Sequence, residues 1–223
     1  MILTEPSRQT PVWGSYDVVV LGGGPAGIAA ATAAAKTGQS TLLIEAYGFL
    51  GGMGTAAGVT NFCGLHANVY GAIGQVVHGV ADDLLERMRA LGGLNEPHVL
   101  FGGKIAAQAY DTAAFKVAAD ALVLASGAQL LFHASAVGVI MNSASEIGAL
   151  LIETKSGRYA VTAKTFIDCS GDAAQLSDAE VQGAPADRRF FRLPARIGAW
   201  LRAGLHPGNR AAGGNSRNPP RGR

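Results

Sequence analysis

Apolar positions fall into short continuous runs near the start of the chain and into longer periodic stretches after it. Asp17-Val18-Val19-Val20-Leu21 is apolar without alternation, the pattern of a parallel strand covered on both faces. Glycines 22 to 24 end it. Ile28 to Lys36 is alanine-rich and predicts a helix, stopped by Gly38. Ser40 to Ile44 predicts a second buried strand, closed by Glu45, so the segment reads as a right-handed βαβ unit. Gly48 to Gly74 is rich in glycine and is expected to be loop-like. Val76 to Leu91 predicts a helix with Val76, Val77, Val80, Leu84 and Met88 near one stripe. Thr112 to Ser126 predicts another, with Phe115, Ala119, Leu122 and Leu124 apolar, Asp111 as N-cap and Gly127 as stop.

Three extended runs follow, Gln129 to Met141, Ile147 to Thr154 and Tyr159 to Thr162, with polar turns at 142–146 and 155–158. They predict a β-meander. Lys164 to Cys169 is one more buried strand, ending at Ser170-Gly171-Asp172. The expected fold class is therefore α/β: a Rossmann-like parallel sheet with a glycine-rich βαβ turn, plus a three-stranded β-meander.

Composition narrows the class. Of 223 residues, 48% are apolar and 15% charged, which is enough to bury a core and excludes wholesale disorder. Two cysteines, Cys63 and Cys169, are too few for a disulfide framework, a four-cysteine zinc site or an iron–sulfur cluster held within this chain. No metal site is expected, and Asp82-Asp83 beside Glu86 and Arg87 reads as a solvated face. Met1 to Gly14 carries no secretory pattern. Val18 to Ala35 has roughly the length of a membrane span, but glycines and Pro25 interrupt it. A cytoplasmic protein without a membrane partner is expected.

Charge divides the chain. Up to Asp187 there are 16 acidic residues and 9 basic ones, a net −7; from Arg188 to Arg223 there are 9 arginines and no acid, a net +9. The basic stretch lacks lysine and any stacking pattern, so it is not expected to be a nucleic-acid arm. Residues 212–223 contain no large apolar side chain, which predicts disorder. The expected division is a tail at 1–15, a nucleotide-binding domain at 16–187 with a glycine-rich loop and helix insertion at 46–110, and a basic tail at 188–223.

The chemistry sits at the first turn. Gly22-Gly23-Gly24-Pro25-Ala26-Gly27 fits G-x-G-x-x-G between a strand and a helix, with Glu45 lying 23 positions beyond Gly22. Gly22 permits the turn, Gly24 lets backbone approach a pyrophosphate at the helix start, and Gly27 lets helix and strand pack closely. Glu45 can accept hydrogen bonds from both ribose hydroxyls of an adenosine and disfavours a 2′-phosphate. This much suits NAD or FAD.

Two later segments choose between them. Gly51-Gly52-Met53-Gly54-Thr55 follows Glu45, and Thr165-Phe166-Ile167-Asp168 runs into Cys169-Ser170-Gly171-Asp172. With the meander between them, this order resembles the glutathione-reductase-type flavoproteins, and within them the FAD-dependent oxidoreductase family, over about Tyr16 to Ala184. The resemblance implies FAD as cofactor and a small-molecule substrate. It places Gly51, Gly52 and Thr55 along the diphosphate, Gly171 and Asp172 by the ribityl–phosphate part, and Ala136 or Val137 beside the adenine. Asp172 also suits a helix N-cap.

Cys63 and Cys169 have no C-x-x-C partner and read as passive thiols, Cys63 partly buried. His66 and His78 are the histidines near the loop that could act as acid or base, although packing or surface roles are commoner for such residues. Relatives with iron–sulfur clusters use extra cysteines that this sequence lacks. Members of the resembled family continue through a substrate domain, so the change at Asp187 predicts an abnormal ending, with apolar surface exposed around Phe49, Leu50, Phe62 and Leu65 and marginal stability. The expected function is an FAD-binding oxidoreductase passing a hydride or electrons between a small organic substrate and flavin. The alternatives are a catalytically inactive FAD-binding remnant and an NAD-dependent Rossmann enzyme. No catalytic residue is assigned.

Overall fold

The computed structural model describes Leu3, residues 7–143 and residues 146–171. Asp172 and the basic tail lie outside the described residues. In chain order the elements are β1 (Val12–Leu21), α1 (Pro25–Lys36), β2 (Thr41–Ile44), a 3-10 turn (Gly52–Gly54), β3 (Asn61–Cys63), β4 (His66–Val69), β5 (Ala72–Gln75) and α2 (Val80–Ala90). Then come β6 (His98–Leu100), β7 (Ile105–Ala109), α3 (Thr112–Ala125), β8 (Gln129–Leu131), β9 (Ala134–Ser143), β10 (Glu146–Thr154) and β11 (Gly157–Asp168).

The main sheet has six strands in the order β8-β2-β1-β11-β10-β9. Strands β8, β2, β1 and β11 are parallel, whereas β10 runs antiparallel to both β11 and β9. β11 is thus shared: its first residues close the meander, and its last residues pair with β1 from Val18↔Thr165 to Leu21↔Asp168. The unbroken apolar run in β1 follows from this arrangement. Val18 and Val20 face α1 and α3, packing with Ile28, Ala31, Phe115 and Leu122. Val19 and Leu21 face the other way and pack with Ala134, Ala136, Leu150 and Ile152 of the meander. Alternate side chains of one strand therefore enter two cores.

The βαβ unit lies where the sequence puts it, with α1 starting three residues earlier, at Pro25. Proline at the first helical position loses nothing, because that N–H has no intrahelical partner. Asp111 caps α3 by accepting the Ala114 N–H at 2.8 Å, and Gly127 takes the left-handed conformation after it. Phe115, Ala119 and Leu122 are buried as expected, but Leu124 is exposed.

Three other expectations are corrected. The helix over 76–91 begins only at Val80, because Gly79 sits at φ +84 and breaks the register; Val76 and Val77 are exposed. The run from Gln129 to Met141 is two strands, since His133 adopts φ +54 between them. Its first part, β8, extends the parallel sheet beside β2 instead of opening the meander. The loop at 48–74 holds three short strands and the 3-10 turn, and Leu50, expected at the surface, is fully buried. Asp82 and Asp83 also do more than face water: Asp82 accepts the Gly79 N–H at the start of α2 at 2.8 Å, and Asp83 pairs with Lys36 of α1. Among the described residues no helix is long and apolar enough to cross a membrane.

Asp17 ties the start of the buried part of β1 to the entry of β2. Its carboxylate accepts the Ser40 N–H at 2.9 Å and hydroxyl at 2.7 Å and pairs with Lys164 at 2.6 Å. The Lys164 and Ser40 hydrogen bonds hold its pKa down at about 2, against an ordinary 3.8. A carboxyl depressed on folding stabilises above its unfolded pKa and loses that contribution as pH falls. Melting curves of Asp17→Asn and the parent protein are therefore expected to converge between pH 4 and pH 2. A gap that stays constant through that window would contradict the assignment.

Candidate functional site

Parallel strands β1, β2, β8 and β11 all end at one edge of the sheet, the edge at which open α/β sheets bind ligands. Each strand delivers one part of the candidate site there. β1 runs into Gly22–Gly24. Gly22 N–H bonds the Ile44 carbonyl at 2.8 Å, and Cys169 N–H bonds the Leu21 carbonyl at 2.7 Å, so the ends of β2 and β11 are fastened to the glycine turn.

Gly27 and Gly52 need the absence of a side chain. A Cβ at Gly27 would lie 1.8 Å from the Gly22 carbonyl oxygen, so only glycine lets α1 approach β1 this closely. Gly52, at φ +49, has its Cα so near Gly24 that a Cβ would lie 2.8 Å from the Gly24 Cα. Gly51 N–H fixes this approach by bonding the Gly23 carbonyl at 2.8 Å. In front of Gly24, by contrast, space is open: a Cβ there would meet nothing nearer than the Gly52 Cα at 4.0 Å. Gly24 offers no side-chain cap to α1, and the first turn of that helix carries no acid. The first-turn N–H groups of Ala26 and Gly27 lie at this uncapped, positive end.

Glu45 is buried beside the turn. Its Oε2 accepts the Gly23 N–H at 2.6 Å and its Oε1 accepts the Tyr47 N–H at 2.8 Å. One accepted bond per oxygen leaves lone pairs free for further donors. The Glu45 backbone carbonyl accepts the Ala134 N–H at 3.2 Å, which brings the start of β9 to the same place. On β9, Ala136 is buried and Val137 exposed; Val137 lies in the register shift between Ala136↔Ile152 and Gly138↔Leu151.

Thr55 is buried and its hydroxyl donates to the Leu50 carbonyl at 2.9 Å, closing the loop that carries Gly51 and Gly52. At the end of β11, Asp168 accepts the Ser170 N–H at 2.9 Å and hydroxyl at 2.6 Å, and Gly171 follows at φ +96. Sequence reasoning missed several residues here. Asp120 of α3 receives the Leu50 backbone N–H, while burial raises its pKa above the usual carboxylate range. His133, at the end of β8, packs against Gly48 and donates its N–H to the Tyr47 carbonyl at 3.2 Å. Tyr47 and Phe49 stack at 5.7 Å, and the Lys116 ammonium lies 3.7 Å from the Phe49 ring centre. An aromatic pair two residues past a strand-ending acid was the available signal.

Beside the cradle lies an open pocket of about 740 Å³ between α1, the 3-10 turn, β3 and α2. Cys63 and His78 line it. His66 is buried on β4, where desolvation lowers its pKa. His78 is exposed and faces Asp82 at 3.2 Å. The two thiols differ from each other: Cys63, expected to be partly buried, is exposed, whereas Cys169 is half-buried and burial pushes its pKa up to about 11. The raised pKa keeps Cys169 in the unreactive thiol form at neutral pH. Iodoacetamide is expected to label Cys63 in the native protein and Cys169 only after denaturation. Comparable labelling rates, read by mass spectrometry, would contradict this.

The comparisons with known proteins agree with this geometry. The FAD dependent oxidoreductase family profile matches residues 17–186. Dihydrolipoyl dehydrogenase of Trypanosoma brucei brucei is 52% identical over 45 residues, covering 20% of this chain and 9% of that protein. Among solved structures, Thermovibrio ammonificans THI4 superposes with a TM-score of 0.52 at 18% identity, over 76% of this chain and 63% of that one. A geranylgeranyl bacteriochlorophyll reductase-like protein of Thermoplasma acidophilum gives 0.51 at 22% identity, over 78% and 44%. These two establish the fold, and the chain spans less than two thirds of either one's length. With the family profile matched from the buried part of β1 through the cradle and the meander, the chain belongs to the FAD-dependent oxidoreductase family, and FAD is its cofactor.

Proposed function

We propose that FAD lies across the carboxyl edge of the parallel sheet and that the protein is an oxidoreductase moving a hydride or electron pair between a small organic substrate and the flavin. The observation that carries this reading is the Gly24–Gly52 cradle: two backbones packed side by side, with open space in front of Gly24 at an uncapped helix end and a buried carboxylate on the same edge.

The residues fit the cofactor in chemistry. Gly22, Gly24, Pro25, Ala26 and Gly27 form the turn and helix start that meet a diphosphate through backbone N–H groups. Pro25 supplies the fixed φ and no competing donor. Gly51 and Gly52 pack directly against that turn, and Thr55 holds their loop in place through Leu50. Glu45 retains lone pairs for two ribose hydroxyls while its bonds to Gly23 and Tyr47 fix its orientation. Ala136 and Val137 stand where the meander starts beside Glu45, the position proposed for the adenine. Gly171 follows the end of β11, and it and Asp172, the next residue in sequence, are proposed for the ribityl chain. FAD, when bound, supplies the redox chemistry; the chain supplies position and electrostatics.

An absorbance spectrum of the purified chain, before and after FAD addition and desalting, tests the reading. Retained bands at roughly 370 and 450 nm are expected for bound flavin. A colourless chain that fails to keep added FAD but saturates with a nicotinamide dinucleotide would overturn it in favour of an NAD-dependent enzyme.

A further inference from the structure

We infer that the chain pairs with a second copy of itself through the β4–β5 hairpin and the neighbouring pocket, the tip of each hairpin entering the pocket of the other copy. This inference stands apart from the proposed FAD site.

The hairpin is built around one disfavoured residue. Val69 pairs with Ala72, so Tyr70 and Gly71 are the two central residues of its turn, at φ +52 and +89. A two-residue turn with both centres left-handed favours asparagine, aspartate or glycine at its first position. A tyrosine there is strained, and Tyr70 is also fully exposed, with no described residue of its own chain covering it. Ile73, Val76 and Val77 extend the apolar surface down the hairpin and past its base. Charged cover is missing, since no Asp, Glu, Lys or Arg occurs between Glu45 and Asp82. An exposed apolar patch of this kind marks a contact surface.

The complementary surface lies at the foot of the hairpin. The Val76 and Val77 N–H groups close that base by donating to the Leu65 carbonyl at 2.8 and 3.3 Å. Leu65 and Val77 also line the open pocket of about 740 Å³. Among the described residues no charged side chain lines that pocket either. A charged partner would bury its charge against either part without a counterion. A protrusion and a cavity side by side on one surface, both uncharged, suit a two-fold contact, in which each copy presents what it receives. At the rise of a strand the tip stands about 14 Å above its base, long enough to reach a cavity across the contact. His78 gives the tyrosine hydroxyl a partner on that wall: Asp82 takes its Nδ1 at 3.2 Å, which leaves Nε2 available.

An aromatic side chain buries about 150–250 Å². Two Tyr70 rings and the walls they cover therefore account for roughly 600–1,000 Å². Ile73 and Val76 of both copies bring the contact to the lower end of specific interfaces, about 1,200 Å². A dissociation constant in the micromolar range is expected.

Sedimentation velocity on the full chain over about 1–100 µM tests this. A reversible monomer–dimer equilibrium is expected. Tyr70→Asn and Val77→Glu, both at exposed positions, are each expected to weaken it at least about tenfold. Tyr70→Asn should melt no lower than the parent monomer, because asparagine suits the turn. Crosslinking reads the identity of the contact. Ala72→Cys keeps Tyr70 and is expected, on oxidation, to give a covalent dimer through the partner's Cys63, which lines the receiving pocket. Mass spectrometry maps that disulfide, and adding Cys63→Ser should remove it. A chain that stays monomeric throughout, open-ended larger assemblies, a dimer indifferent to both substitutions, or a dimer that yields no such disulfide overturns the proposal.

Discussion

Gly27→Ala is expected to unfold the cradle, whereas Gly24→Val is expected to leave the fold intact and abolish FAD retention. At Gly27 the added Cβ falls 1.8 Å from a backbone oxygen, that of Gly22, with the Cys169 side chain behind it. No rotamer relieves a clash with backbone, so α1 must lift off β1 and part of the core formed by Ile28, Ala31 and Ala34 must open. Overpacking of this kind costs about 3 kcal/mol. For a domain of this size the melting temperature would fall by roughly 10 °C. At Gly24 the backbone is at φ −70, ψ −178, which any residue before a proline adopts readily. The nearest atom to a Cβ is 4.0 Å away, so stability should change by less than about 0.5 kcal/mol. The valine methyls would then occupy the space that a diphosphate must enter, weakening FAD by about a hundredfold. Differential scanning calorimetry and the 450 nm absorbance after desalting read the two effects apart. If Gly24→Val holds FAD as well as the parent, the cradle is not the diphosphate site.

That pair of glycines also shows why one region was legible in the sequence and another was not. The β1-α1-β2 unit is local. An apolar run, a glycine cluster and an alanine-rich stretch each determine the backbone of their own neighbours, and the two cores on either face of β1 make the run continuous. The same holds for Asp111 and Gly127 at the ends of α3. Glu45 was identifiable because the acid follows a strand at the distance a crossover sets.

The remainder depends on partners distant in sequence. β8 reads as the start of the meander because its residues continue into β9 without a polar break; only the left-handed backbone at His133 separates them, and that residue type gives little warning. Strands β3 to β7 have three to five residues each, too short for a period to register. Phe62 of β3 stacks on Tyr110 at 4.2 Å and packs against the core, a contact between residues 48 positions apart. The pocket joins residues of this part of the chain to α1 and α2, which is why no pattern in the sequence marked it.

Phe115→Ala carries the other large expected effect, and it links that insertion to the cradle. The Phe115 ring is fully buried at the junction of α3 with the loop elements, 5.3 Å from the Tyr110 ring and 5.4 Å from Phe62. Gly54 of the 3-10 turn leans directly on it: a Cβ there would lie 2.4 Å from Phe115 Cε1. Truncation removes the ring and leaves a cavity continuous with the neighbouring pocket, since Phe115 is part of its wall. Phe→Ala in a core costs about 3–5 kcal/mol. A melting temperature lower by roughly 10–15 °C follows. The 3-10 turn that presents Gly52 to Gly24 loses its support from beneath, so FAD should dissociate faster even well below the melting temperature. Phe115→Leu keeps most of the volume and should recover more than half of both losses. If Phe115→Ala lowers the melting temperature but leaves the FAD dissociation rate unchanged, the turn is held by Thr55 and the Gly51–Gly23 hydrogen bond alone, and the insertion is energetically separate from the cofactor site.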